Sequence, residues 1–334
     1  VVERTESEEI TLLANRHGQV KKIVRPLKNQ EEKNSLVAFK NIKNSNGDRA
    51  KKYILQEGQP LLFLEKLGIM TKEGKIHAAK YDKWRQINRF LEYIADVLPQ
   101  LQELTVGEKG FSQDRPLRIA DFGCGKSYLT FALYHFLYNI KNIPVQITGL
   151  DLKADVIADC QALAEESAYR GLAFFVGDIA HFTYSQKPDM IITLHACDTA
   201  TDYALNFAVK EGASLILSVP CCQHEINSQL QQIKGKDASS PFASLQRWGI
   251  VRERFAALAT DVIRAEVLEE EGYSVQLLEF IDMSHTPKNI LIRAVKRKGN
   301  QVLSKADLEK SVKRKNALLE GLSVSQSLNN LLQS

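Results

Sequence analysis

The stretch Asp121-Phe-Gly-Cys-Gly-Lys-Ser127 follows a short apolar run and precedes a helical pattern. Two glycines in such a loop let the backbone turn sharply and approach a ligand closely, and the N-terminus of the next helix offers free N–H groups. A dinucleotide-binding loop would have a third glycine at position 128, where Tyr128 stands. The stretch therefore predicts a ligand-binding turn and disfavours a dinucleotide as its ligand.

Acidic residues stand at the ends of three successive apolar runs. Asp121 precedes the glycines, where a carboxylate can hold an ammonium group, and Asp151 ends the second run, where it can accept both hydroxyls of a ribose. Asp178 ends the third run, where it can take an adenine amino group while Ile179 packs on the ring. Ammonium, ribose and adenine in this order describe S-adenosylmethionine. Its predicted binding residues are Asp121, Gly123, Gly125, Ser127, Asp151, Leu152, Asp178, Ile179 and His195.

The chain on both sides of this loop alternates short apolar runs with helical periods, which is typical of a βαβ series. The early runs show little alternation, as expected of parallel strands covered on both faces. The last two runs are separated by a turn too short for a crossover helix, so they are predicted to pair antiparallel. Strands are predicted at 118–122, 145–150, 173–176, 190–194, 215–219, 275–281 and 290–295. Helices are predicted at 80–98, 128–140, 154–169, 200–210, 225–233 and 254–271.

Five parallel strands followed by an antiparallel pair resemble the sheet of class I S-adenosylmethionine-dependent methyltransferases, over about residues 80 to 297. The resemblance implies an α/β, Rossmann-like, seven-stranded fold. Three domains are expected: a small basic α+β domain at 1–78, the methyltransferase domain at 79–298, and a basic helical C-terminal extension at 299–334.

The ends of the fourth and fifth strands are similar to those of the group that contains the eukaryotic tRNA ribose 2′-O-methyltransferases. The matching residues are His195, Cys197, Ala200, Thr201, Asp202, Cys221 and Cys222. The chain differs from that group at Asp198, where those enzymes have glycine, and at Gln223, and it shows no zinc-finger leader like theirs. The resemblance therefore supports the fold and the cofactor of that group for this chain more strongly than it supports a tRNA substrate.

Three kinds of chemistry compete at these strand ends. In the first, His195, Asp198 and His224 orient a hydroxyl or amine nucleophile and accept its proton, and with Cys222 they make up the predicted catalytic set. In the second, Cys197 or Cys222 attacks a pyrimidine covalently. In the third, thiols and imidazoles bind a metal, but the spacing lacks two separated pairs of ligands, so no metal is predicted.

The predicted helix at 80–98 precedes the first strand, the position from which the leading helix of this fold covers the cofactor. Its polar residues Lys83, Arg85 and Arg89, with Lys288 in the last hairpin, are the predicted substrate-binding residues. An amphipathic helix with a plain solvated face is the alternative.

The net charge of +4 is unevenly divided along the chain. Residues 1–80 carry a net charge of +6, residues 81–280 carry −8 and residues 281–334 carry +6. Basic ends favour a polyanionic partner, although they are also common as solvated surface. The predicted function is methyl transfer from S-adenosylmethionine to RNA (tRNA or rRNA), at a ribose hydroxyl or a base. The alternatives are a protein or small-molecule acceptor, and a non-catalytic cofactor-binding module associated with RNA.

The five cysteines are odd in number and fall within apolar or motif-like segments, which favours reduced thiols. No apolar run approaches the roughly 18 residues that a spanning helix needs. We therefore expect a cytoplasmic protein with no membrane contact and no disulfide-linked partner. The first residues lack an initiator Met and a signal-peptide pattern, so the numbering is expected to begin inside a longer chain.

Overall fold

A computed structural model describes residues 2–4, 8–14, 20–26, 53–184, 186–194, 196–233, 242–280 and 289–333. By packing, the chain divides into two units, Val1–Tyr53 and Ile54–Ser334. In the first unit, strands β1 (Val2–Arg4), β2 (Glu8–Ala14) and β3 (Val20–Pro26) form an antiparallel sheet in that order. The domain limits predicted at residues 78 and 298 stay predictions.

The second unit is built on a seven-stranded sheet. Its strands are β4 (Leu117–Phe122), β5 (Val145–Asp151), β6 (Leu172–Val176), β7 (Met190–Thr193), β8 (Leu215–Ser218), β9 (Tyr273–Glu279) and β10 (Ile290–Lys296). Their order across the sheet is β6-β5-β4-β7-β8-β10-β9. Strands β4 to β8 pair parallel, and β10 pairs antiparallel with both β8 and β9. The predicted Rossmann-like α/β fold and the antiparallel pairing of the last two strands are confirmed.

The central strands are apolar because both of their faces are covered. Every residue of β7 and β8 is buried, which accounts for the lack of polar alternation in these segments. The carboxyl ends of these parallel strands lie at one edge of the sheet, where ligands bind in open α/β folds. This edge carries the predicted cofactor and catalytic residues.

Ten helices flank the strands in the described residues. They are α1 (Leu62–Lys66), α2 (Tyr81–Thr105), α3 (Tyr128–Tyr134), α4 (Ala154–Glu166), α5 (Thr199–Glu211), α6 (His224–Ile233), α7 (Ala243–Arg247), α8 (Gly249–Glu270), α9 (Lys305–Leu322) and α10 (Ser327–Gln333). None of them is long and apolar enough to cross a membrane.

Several predicted helix ends differ from the structure: α8 begins at Gly249 instead of residue 254, and α4 ends at Glu166 instead of residue 169. Helix α2 continues through Pro99 to Thr105, past the predicted end at 98, and the buried Leu101 extends its apolar stripe beyond the proline. The helix predicted at 128–140 ends as an α-helix at Tyr134 and continues to Ile140 as a π-helical turn.

The helices after residue 298 pack within the second unit. The Ser304 hydroxyl accepts a hydrogen bond from the Asp307 N–H at 3.2 Å and so caps the N-terminus of α9. Leu322 and Leu328 are buried in the same apolar cluster as strand residues of the sheet. This segment is therefore packed against the seven-stranded sheet.

Candidate active site

The loop between β4 and α3 turns through residues with left-handed backbone. Gly123 has φ 70° and Gly125 has φ 50°. A Cβ at position 123 would lie 3.3 Å from the Ala196 backbone nitrogen, so only glycine lets the loop approach the segment after β7 this closely. A Cβ at position 125 would have no heavy atom of the described residues within 4 Å. Gly123 thus permits close packing, while Gly125 leaves open space beside its backbone.

Asp151 binds this loop to the end of β5. Its Oδ2 accepts a hydrogen bond from the Gly125 N–H at 2.9 Å, and its Oδ1 accepts one from the Lys153 N–H at 3.1 Å. A carboxylate oxygen can accept more than one hydrogen bond, so Asp151 retains capacity for the two hydroxyls of a ribose. The adjacent Leu152 is 72% exposed and offers an apolar surface at the same edge.

Asp121 lies beneath the loop with only 4% of its surface exposed. Its Oδ2 accepts a hydrogen bond from the Thr130 hydroxyl at 2.5 Å. Burial raises the pKa of this carboxyl to about 7, the nearby Asp151 charge adds to the rise, and the Thr130 hydrogen bond opposes it. A cationic ligand would favour the ionised form, so Asp121 fits the ammonium group of S-adenosylmethionine. The sequence analysis did not predict the hydrogen bond from Thr130 to Asp121. The position of Thr130 in the first turn of the helix after the glycine loop is the signal that could have indicated it.

The predicted adenine-binding residues lie beside Asp151. The Gly177 N–H donates to the Asp151 carbonyl oxygen at 3.0 Å, which holds the ends of β5 and β6 together. Asp178 is exposed, and its Oδ1 accepts a hydrogen bond from the Ala180 N–H at 3.0 Å. Ile179 packs partly against the apolar core. The three acidic strand ends therefore offer hydrogen-bond acceptors that suit the ammonium, ribose and adenine groups of S-adenosylmethionine.

Ser127, predicted as a cofactor contact, uses its side chain within the loop. The buried hydroxyl donates to the Gly125 carbonyl oxygen at 3.3 Å and accepts from the Cys160 Sγ at 3.4 Å. The backbone of Ser127 has φ 56°, a left-handed value like those of the two glycines. Its hydroxyl thus shapes the turn.

Asp198 connects the end of β7 to the start of α6. Its Oδ1 accepts hydrogen bonds from the backbone N–H groups of His224 at 2.8 Å and Glu225 at 3.1 Å. The residue has φ 51° and ψ −124°, a conformation suited to glycine. In this chain the two hydrogen bonds offset the backbone strain.

Three cysteines meet at the ends of β7 and β8. The Sγ atoms of Cys197 and Cys221 are 3.3 Å apart, and all three Sγ atoms, including that of Cys222, lie within 4.8 Å of one another. Burial raises the pKa of Cys221 to about 12, and the neighbouring thiols add to the rise. Cys222 and Asp198 of the predicted catalytic set are thus in adjoining segments, and His224 is exposed at the start of α6. His195 and Lys288 lie outside the described residues.

A buried network of charged side chains packs against the segments that follow β7 and β8. The Arg264 guanidinium contacts Asp202 at 2.7 Å and Asp261 at 3.2 Å, and it also donates to the Asp198 carbonyl oxygen at 3.0 Å. The Gln223 side chain donates to the Asp261 carboxyl at 3.2 Å. Burial raises the pKa of Asp261 to about 6, while the positive charge of Arg264 opposes the rise. Arg264 therefore links α8 to the residues that flank the cysteines, a role that its sequence position alone did not reveal.

Of the predicted substrate-binding residues on α2, only Lys83 lies next to the predicted cofactor loop, the loop between β4 and α3. Its Nζ lies 5.0 Å from the ring centre of Tyr128, the first residue of α3, and burial lowers its pKa. Arg85 pairs with Asp82 on the same helix at 2.6 Å. Arg89 pairs with Glu92, likewise on α2, at 2.8 Å.

Residues 82–229 match a family model described as "Methyltransferase domain". This part of the chain, from α2 to α6, is therefore similar to a methyltransferase domain. Among curated proteins, the chain is similar to the glutathione S-transferase C-terminal domain-containing proteins of Homo sapiens (25% identical over 197 residues) and Bos taurus (24% over 196 residues). Each match covers 53% of this chain and 30% of the relative, so the matched region spans less than a third of these relatives.

The chain is also similar to solved structures of methyltransferases. One is magnesium protoporphyrin IX methyltransferase from Synechocystis PCC 6803 with bound SAH, with 14% identity, coverage of 70% of this chain and 94% of that one, and a TM-score of 0.40. Another is an SAH-bound methyltransferase of Podospora anserina, with 16% identity, coverage of 81% and 98%, and a TM-score of 0.39.

Proposed function

We propose that the protein transfers the methyl group of S-adenosylmethionine to an RNA, at a ribose hydroxyl or a base. The observation that carries the proposal is the gathering of the motif residues similar to those of tRNA ribose methyltransferases at one place. Cys197, Cys221 and Cys222 meet at the ends of β7 and β8, and Asp202 anchors the same region through Arg264. The Gly123 turn of the cofactor loop packs against Ala196, in the segment that leads to Cys197.

The cofactor supplies an electrophilic methyl group when bound. Asp121 would hold its ammonium group and Asp151 its ribose, while the open space at Gly125 admits it to the loop. Asp198 would orient the acceptor through Oδ2, because its Oδ1 is engaged by the start of α6. The proposed catalytic set remains His195, Asp198, Cys222 and His224.

The N-terminal part of the chain is the proposed RNA-binding region. Residues 1–80 carry a net charge of +6, and neutralising phosphates with such cations gives salt-sensitive affinity. The C-terminal helix α9 is less suited to this role, because acids already pair with three of its five cations. The pairs are Lys310 with Asp307, Arg314 with Glu266 and Lys315 with Glu270. Lys83 and Lys288 are the proposed contacts nearer the acceptor.

The proposal includes a cytoplasmic location. The odd number of cysteines and their places in apolar or motif-like segments favour reduced thiols, and so a reducing compartment. Fractionation of cells that express a tagged full chain tests this point, and recovery of the protein in the secreted fraction would contradict it.

A labelling assay tests the acceptor class. The purified protein and tritiated S-adenosylmethionine are incubated with cellular extract, and RNA and protein are separated before counting. Label is expected in RNA, it should fall steeply with added salt, and Asp151→Ala should abolish it by weakening cofactor binding. Label confined to protein or small molecules would refute an RNA acceptor, and absence of label despite measured cofactor binding would refute methyl transfer.

A further inference from the structure

The three cysteines at the ends of β7 and β8 have the geometry of a metal site. In a tetrahedral zinc site with Zn–S bonds of about 2.3 Å, the sulfur atoms lie roughly 3.8 Å apart. The Cys197 and Cys221 Sγ atoms are 3.3 Å apart, and the full set including Cys222 spans at most 4.8 Å. These separations bracket the expected value, so one ion can reach all three sulfurs after small side-chain shifts.

We propose that Cys197, Cys221 and Cys222 bind one zinc ion; among the described residues no fourth ligand joins this group. Thiolates are soft ligands that select zinc among the common divalent ions of cells. Cys197 is exposed and the other two are half-buried, so the fourth ligand can come from solvent or from a bound molecule. With solvent as the fourth ligand, the site would match the zinc sites that act on substrates, which have three protein ligands and one open position.

The backbone around the three sulfurs is fixed by contacts independent of a metal. Asp198, which follows Cys197, accepts hydrogen bonds from His224 and Glu225 just beyond Cys222. Gln223, which directly follows Cys222, is buried and bonded to Asp261. Because these hydrogen bonds already hold the backbone of the cysteine segments, less conformational entropy is lost when an ion binds. Hydrogen bonds that orient the ligands of known metal sites have the same effect.

The remaining two cysteines provide matched controls. Cys160 is buried on α4 and bonded to Ser127, and Cys124 lies in the cofactor loop. Neither belongs to the group of three. Replacing Cys160 removes one thiol from the chain without touching the proposed ligands.

Metal content tests the proposal without any need for enzymatic activity. The reduced full chain is exposed to zinc, freed of excess ion by gel filtration, and analysed by mass spectrometry for zinc per chain. We expect one zinc in the wild type and in Cys160→Ser. In Cys222→Ser and Cys197→Ser, the affinity for zinc should fall by more than roughly 100-fold. Loss of a group that only orients a metal ligand already lowers metal affinity about 10–100-fold, and these variants lose a ligand itself. Circular dichroism establishes that each variant is folded.

Cobalt substitution gives a second measurement. Cobalt bound by the three thiolates should produce sulfur-to-metal charge-transfer absorption that weakens in Cys222→Ser and persists in Cys160→Ser. A folded, reduced wild type that retains no zinc would overturn the proposal, as would equal zinc loss in Cys160→Ser and Cys222→Ser. So would the finding that Cys197 and Cys221 form a disulfide in the protein purified under reducing conditions. The test is independent of the acceptor, because RNA labelling can fail while zinc still binds.

Discussion

The buried carboxyl of Asp121 makes cofactor affinity depend on pH. With a pKa of about 7, its ionised fraction rises from about 3% at pH 5.5 to about one half at pH 7.0. If only the ionised form binds the ammonium group, the apparent dissociation constant falls by roughly 15-fold over this range. An α-amino group has a pKa of about 7.7–8.0, so the cofactor's own ammonium stays largely protonated throughout.

Burial of Asp121 also makes folding stability depend on pH. As the pH rises, stability without cofactor falls, whereas affinity for the cofactor increases. Because the pKa is raised from 3.8 to about 7, the native state holds more protons than the unfolded chain between these pH values. Stability is therefore lost as pH rises through that window, by at most about 4 kcal/mol from this group. Asp121→Asn removes the ionisation and retains an oxygen for the Thr130 hydroxyl. The cofactor-free variant should be more stable than the wild type at pH 8, and similar to it near pH 4.

Two measurements check this reasoning. Titration calorimetry with S-adenosylmethionine at pH 5.5, 6.2 and 7.0 should show the 15-fold trend in the wild type and weak, pH-independent binding in Asp121→Asn. Urea unfolding without cofactor at pH 4, 6 and 8 measures the change in stability. Asp178→Asn is the control, because removal of an exposed carboxylate should weaken binding yet keep the pH trend. Equal wild-type affinity at pH 5.5 and 7.0, or an unchanged trend in Asp121→Asn, would refute the assignment.

Three further substitutions test the packing around the site. Asp198→Ala should lower the free energy of unfolding in urea by about 2–4 kcal/mol, because it keeps the strained backbone and loses two hydrogen bonds. Asp198→Gly should lower it by less, since glycine adopts this backbone conformation without strain. Equal losses in the two variants would contradict the strain at this position. Arg264→Met should cost about 3–5 kcal/mol in the same assay, because two buried carboxylates lose their cation, and a neutral result would contradict the network. Gly149→Ala places a Cβ 2.5 Å from the Phe174 ring and should lower stability by about 1–3 kcal/mol, while Gly249→Ala, with open space, should not.

The fold was predictable because its determinants are local. Buried parallel strands must be apolar along their length, and the glycines of the cofactor loop stand next to the strand that precedes them. The positions of Asp121 and Asp151 followed from the same strand pattern. Local rules failed where packing overrode them, as at Pro99, which α2 passes because Leu101 continues its buried stripe.

The supporting residues of the site were less predictable because they act across long stretches of sequence. Arg264 contacts Asp202, 62 positions away, and no pattern along α8 indicates that partner. The hydrogen bonds of Asp198 to α6 likewise depend on how β7 and β8 lie together. Adjacent strand order did predict that Cys197 and Cys222 come near each other, but not their separation. The roles of His195 and Lys288 stay predictions.

The network beneath the cysteines has a consequence for folding kinetics. Gln326 donates to the Asp202 carboxyl across 124 positions, and Ser327 donates to Glu225 across 102. Contacts this distant in sequence form after the neighbouring β–α pairs, because closing a longer loop costs more entropy. During refolding the sheet should therefore assemble first, while the segments with Cys197 and Cys222 gain order in the slowest phase. Because Cys197 is exposed in the native structure and Cys222 is half-buried, ordering of this network should protect Cys222 from oxidation more than Cys197.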